Sequence, residues 1–209
     1  MTLVIAIDGP AAAGKGTLAR RLAMALTLPY LDTGLLYRAV GRRLLDRAVD
    51  PRDAVLAEAA ARALRPDDLH RPDLRGPAAD MAASEVAAIP AVRAALLDWQ
   101  RDFAREAGAV LDGRDIGTVV FPEAQIKLFV TAALEERARR RLAELHARGV
   151  AAVLEQVETE LRLRDAQDRG RSAAPLMPAP DAILLDTTRL DADAAFAQAM
   201  ALVAPRIAG

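Results

Sequence analysis

The segment Gly9-Pro-Ala-Ala-Ala-Gly14-Lys15-Gly16-Thr17 constrains this chain more than any other. It fits the pattern G-x-x-x-x-G-K, and its flanks give the pattern meaning. Before it, Leu3–Ile7 is a short apolar, β-branched run that reads as a strand buried on both faces. After it, Thr17–Leu26 carries leucines at 18, 22 and 26, a helical spacing. A glycine-rich turn between strand and helix can wrap a phosphate without Cβ clashes, with successive N–H groups pointing inward. The helix N-terminus adds the positive end of its dipole. A lysine in that place reaches the outer phosphates of a nucleotide, and a following hydroxyl helps hold Mg²⁺.

The rest of the chain repeats the alternation. Leu28–Leu31, Ala109–Asp112, Ile126–Val130 and Ala182–Asp186 read as four further short strands. Helices are expected over 35–47, 53–64, 80–88, 91–107, 134–148, 152–164 and 191–203. Strands alternating with helices imply an α/β fold around a five-stranded parallel sheet. Arg65–Ala78 breaks the rhythm. It packs three prolines among Asp and Arg and reads as a loop or a minimal insert.

Composition removes several functions. The 209 residues include no cysteine and two histidines, so thiolate chemistry and a histidine-rich metal site fall away. A net charge of −1 and 3% aromatics speak against a nucleic-acid surface. No apolar run approaches the roughly 18 residues of a membrane helix, and the N-terminus lacks a signal-peptide pattern. A cytoplasmic globular protein is expected. Of the 28 basic residues only Lys15 and Lys127 are lysine.

Three further segments carry chemistry. Asp32-Thr33-Gly34-Leu-Leu-Tyr37-Arg38 follows the second strand, where ligands bind in parallel α/β sheets. Thr33 could cap the next helix while its hydroxyl meets an anion, with Arg38 about one turn on. Asp112-Gly-Arg114-Asp115-Ile-Gly-Thr118 follows the third strand and is too charged for a plain connector. Arg164, Asp168 and Arg171 share one face of a continuous helix, and Arg162, Asp165 and Arg169 a neighbouring one. With no apolar stripe after Leu163, that stretch reads as a poorly anchored, arginine-rich lid rather than a solvated helix. His70 and His146 read as surface residues and Trp99 as a packing residue. The phosphate loop alone leaves open a kinase for any of several small acceptors, or a nucleotide-binding switch without turnover.

Together these segments closely resemble the bacterial cytidylate kinases, within the nucleoside monophosphate kinase group. The matching stretches are IAIDGPAAAGKGT at 5–17, LDTGLLYRAV at 31–40, ASEVAAIPAVRAAL at 83–96, LDGRDIGTVVFPEA at 111–124 and RLRDAQDRGRSAAPLMPA at 162–179. The resemblance implies the P-loop nucleoside monophosphate kinase fold with a short NMP-binding insert and an arginine-rich lid. One kinase domain over 1–209 would comprise a core of 1–50 and 90–209, a reduced insert at about 51–89 and a lid at about 162–176. It implies ATP and Mg²⁺ as cofactors and CMP and dCMP as substrates, in a monomer without nucleic-acid or membrane partners. Gly9, Pro10, Ala11, Ala12, Ala13, Gly14, Lys15, Gly16 and Thr17 would hold the ATP phosphates, Thr17 also the metal indirectly. Thr33, standing where the family usually has serine, would hold the CMP phosphate with Arg38 and Arg114. Ser84, Arg93 and Asp115 would read the cytosine. Arg164 and Asp168 would meet the ribose, and Arg171 the phosphates on lid closure. Lys15, Arg38, Arg114 and Arg171 would be the catalytic cations. The chain departs from the family at Arg65–Ala78, which is too short and too poor in β-branched residues for a three-stranded insert.

Overall fold

Five apolar segments form strands: β1 Val4–Asp8, β2 Tyr30–Asp32, β3 Ala109–Gly113, β4 Ile126–Thr131 and β5 Ile183–Asp186. In this computed structural model, which describes residues 2–207, they make one parallel sheet in the order β2-β3-β1-β4-β5. Met1, Ala208 and Gly209 of the expected 1–209 domain lie outside the described residues. The register sets Ile5 against Val110 and Ile126, and Asp8 against Gly113 and Phe129. β1 is buried along its whole length, as an apolar central strand must be.

The helices are α1 Lys15–Leu26, α2 Thr33–Leu45, α3 Ala54–Arg62, α4 Pro77–Ala87, α5 Pro90–Ala104, α6 Leu134–Ala147, α7 Leu154–Arg169 and α8 Ala192–Ile207. Two compact units result. One takes in the chain up to Leu31 and from Ala104 onward; the other runs Asp32–Phe103.

In the first unit, Leu18 and Leu22 of α1 and Ala199 and Val203 of α8 pack with Ile5, Ile7, Val110, Ile126, Leu128, Val130 and Leu185 of the sheet. Each fully buried Ile or Leu contributes about 2 kcal/mol. A smaller cluster joins Ala11, Ala138, Leu145, Val157 and Leu161. The expected helix over 152–164 runs on to Arg169. Its buried stripe continues past Val157 and Leu161 through Asp165 and Asp168, so acids occupy the face that apolar residues began.

In the second unit, α2 and α4 pack closely because the facing residues are small. A Cβ on Gly41 would lie 2.7 Å from Cβ of Ala82. The 65–78 stretch contains no strand. It makes two 3₁₀ turns, Pro66–His70 and Pro72–Leu74, and folds back onto α2 through ion pairs. Arg71 pairs with Asp46 at 2.7 Å and with Asp73 at 2.6 Å, while Arg42 also holds Asp46 at 2.7 Å. These arginines keep both carboxyls below the ordinary aspartate range. The second unit takes in the 51–89 span expected to be an insert, together with α2 and α5.

Candidate active site

The phosphate loop leaves the buried end of β1 and closes at the start of α1. Gly9 is required there: a Cβ would stand 1.9 Å from the Val130 carbonyl oxygen, and its φ is +147°. Lys15 opens α1 and is 5% exposed. Its ammonium donates to the Pro10 carbonyl at 2.7 Å, so the side chain folds back across the loop. Burial, then the nearby Arg114 charge, pushes its pKa down to about 7, against the opposing pull of Asp112 and Asp8. Thr17 lies exposed in the first turn of α1.

The carboxylate of Asp112, at the end of β3, accepts from the Tyr30 hydroxyl at 2.9 Å. Its other oxygen lies 3.7 Å from where a Cβ on Gly16 would be. After Gly113 the chain makes a single π turn, Ile116–Val120. Such turns place side chains that a regular helix cannot, often at functional sites. Arg114 and the buried Asp115 stand just before it.

The expected lid stretch, 162–176, comprises the end of α7 and the irregular segment after it. Asp168 is 1% exposed and holds two arginines. Arg114 donates to its Oδ2 at 2.8 Å, and Arg171 donates to its Oδ1. Burial alone would raise this carboxyl's pKa; the charges of Arg114, Arg171 and Arg164 outweigh it and hold the pKa below the ordinary range. The backbone N–H of Leu176 returns to the Asp168 carbonyl at 2.8 Å. Lys15, Arg114, Asp115, Arg164, Asp168 and Arg171 thus all belong to the first unit.

The stretch is not poorly anchored, contrary to the sequence expectation. Arg137 of α6 makes a two-pronged pair with Asp165 of α7, at 3.1 and 2.6 Å, with both side chains buried. The same arginine donates to the Ala11 carbonyl at 3.2 Å and the Ala132 carbonyl at 3.0 Å. It therefore ties α7 to the phosphate loop. Sequence reasoning grouped Asp165 with Arg162 and Arg169 on one face of the lid stretch and named no partner for it beyond that helix. The available signal was its place four residues after Leu161 in an apolar stripe. Asp8, described below, was missed because the end of a strand before a glycine reads as an ordinary turn.

The second unit holds the remaining expected residues. Thr33 is the buried first residue of α2, and Asp32 occupies the cap position expected for Thr33. Arg38 donates to Asp80 at 2.9 Å and lies 3.7 Å from Asp32. Ser84 lies one turn after Asp80 on α4, half-buried. Arg93 on α5 sits 5.6 Å from the centre of the Tyr37 ring and donates to the Ala87 carbonyl. Trp99 stacks with Phe103 at 6.3 Å, consistent with packing, and both histidines are exposed. Among the described residues no group of three or more His, Asp or Glu is placed to hold a metal ion by itself. No described helix is long and apolar enough to cross a membrane.

A family model described as cytidylate kinase matches residues 5–204. A cytidylate kinase of Acidiphilium cryptum is 63% identical over 96% of this chain and 95% of its own. One from Paramagnetospirillum magneticum is 61% identical over 97% and 98%. Among solved structures, an uncharacterized protein from Eubacterium ventriosum shares the fold with a TM-score of 0.57 at 14% identity, covering 97% of this chain and 99% of its own.

Proposed function

The chain belongs to the cytidylate kinase family, and on that premise we propose that it transfers the γ-phosphoryl group of ATP to CMP, giving ADP and CDP, and to dCMP, giving dCDP. The observation that supports this most directly is the gathering of Arg114 and Arg171 on buried Asp168, in the same unit as the buried Lys15 of the phosphate loop. Phosphoryl transfer asks the protein for positioning and charge neutralisation more than for covalent chemistry.

In this reading Gly9–Thr17 cradle the ATP phosphates, and Lys15 stabilises the oxygens in transit. Thr33, Arg38 and Arg114 hold the CMP phosphate, arginine being suited by its planar fork. Ser84, Arg93 and Asp115 read the cytosine. A carboxylate accepts from the cytosine amino group, whereas uracil would turn a carbonyl toward it. Arg164 and Asp168 meet the ribose, and Arg171 the phosphates. Asp168 has a second task, since its grip on Arg114 and Arg171 sets where both guanidinium groups point. No general base is needed, because the acceptor is already an anion.

Oxygen donors suit Mg²⁺, which takes most of its ligands from phosphates and water. The Thr17 hydroxyl and the Asp112 carboxylate, near Gly16, fit that demand. When bound, the ion would neutralise charge between the ATP phosphates. A cytoplasmic monomer acting on free nucleotides completes the reading. The near-zero net charge suits small ligands better than a polyanion surface.

A coupled ADP-release assay with CMP, dCMP, UMP and AMP tests the proposal. CMP and dCMP should be the fastest acceptors; CMP no better than AMP would sink the reading. Asp115→Asn should narrow the CMP-over-UMP preference by about an order of magnitude, because an amide can donate to the uracil carbonyl. An unchanged ratio would remove Asp115 from base reading.

A further inference from the structure

Asp8 ends β1, immediately before the phosphate loop, and is 4% exposed. Its two oxygens reach the turn that follows β3. Oδ1 accepts from the backbone N–H of Ile116 and Oδ2 from that of Gly117, each at 2.7 Å. The Lys127 stem lies against the same turn, 3.1 Å from where a Cβ on Gly117 would stand. Two successive N–H groups aimed at one carboxylate fix two successive peptide planes. The residue just before them is Asp115, whose φ of −146° and ψ of 26° belong to neither helix nor strand.

We infer that Asp8 is a positioning residue for acceptor selectivity: it splints the Asp115–Gly117 backbone to β1 and so aims the Asp115 carboxylate at the nucleobase. The inference rests on the assignment of Asp115 to cytosine. Lys15 of α1 and Asp115 of the turn face Asp8 electrostatically, and Lys127 of β4 packs its stem against Gly117. Burial, only partly offset by the two N–H groups, raises the Asp8 pKa to about 6. Protonation takes charge out of the splint, so its grip weakens on the acid side of that value.

The test is Asp8→Asn, which keeps the shape but turns an NH₂ toward one of the two N–H groups. The CMP-over-UMP ratio of kcat/KM should fall about tenfold, with the KM for ATP within about twofold of wild type. A carboxylate with only a structural role would lower the melting temperature and the active fraction equally for both acceptors. An unchanged ratio in the folded variant therefore overturns the inference. Should the variant fail to fold, the wild-type ratio measured from about pH 7.5 to 5.5 decides. It should decline toward the acid end, and a flat profile overturns the inference, the acceptor phosphate titration being common to CMP and UMP. Failure of the wild type to phosphorylate CMP overturns the functional reading and this inference with it, whereas a flat ratio overturns this inference alone.

Discussion

Lys15→Ala should lower turnover by about two to three orders of magnitude and leave the fold standing. The ammonium is buried and donates to one loop carbonyl at 2.7 Å. Nothing else on the loop carries a positive side chain: Gly9 to Thr17 is otherwise glycine, proline, alanine and threonine. The loop itself therefore offers no second cation to replace the lost charge. Stability behaves differently. Burial lowers the Lys15 pKa from 10.5 to about 7, so the folded protein carries this cation at a cost. The cost is fully present below about pH 7. Between that value and the ordinary lysine pKa the unfolded chain binds more protons than the folded one, so the cost fades as pH rises. Wild type should gain stability relative to the variant as pH rises from about 7 to 10. Steady-state turnover and thermal melts across that range check both halves. Near-normal turnover would overturn the role of the loop, and a pH-independent stability difference would overturn the burial argument.

Asp165→Ala should cost about 3–5 kcal/mol of unfolding free energy, the largest stability loss expected from one side chain here. The change strands the Arg137 guanidinium, which is buried and held by a two-pronged pair. Replacing both partners with Met and Leu should lose far less, because no charge is then left unpaired in the interior. Denaturant unfolding of the single and double variants measures the difference. A single-variant loss below about 1 kcal/mol would mean that water reaches the pair and that it acts as a surface ion pair. Activity should fall in the single variant beyond its loss of folded fraction. Arg137 also holds the Ala11 carbonyl of the phosphate loop, and α7 carries Arg164 and Asp168.

Much of this was legible in the order of residues. Short apolar segments alternating with helical ones imply a parallel sheet flanked by helices, and the structure forms all five strands. The phosphate loop was legible because its glycines answer a local demand: Gly9 and Gly14 take positive φ values of +147° and +87°, which other residues rarely adopt. Charged blocks at strand ends were legible as places of chemistry, but their partners were not. Asp168 reads as one of several acids in an arginine-rich helix, and only folding shows it holding Arg114 from 54 residues away. Asp165 was grouped with Arg162 and Arg169 because spacing within a helix is visible along the chain, whereas its partner lies on another helix.

The sequence by itself determined the alternation of strand and helix, the phosphate loop between the first of each, and the family. These depend on local backbone geometry and on periodic burial, which are written along the chain. Only the tertiary structure decided which carboxylates are ionic struts. Asp8, Asp165 and Asp168 are buried and hold groups at sequence separations of 108, 28 and 54. A carboxylate's role depends on whether water or a fixed donor surrounds it, and burial is settled by what the fold brings from elsewhere in the chain.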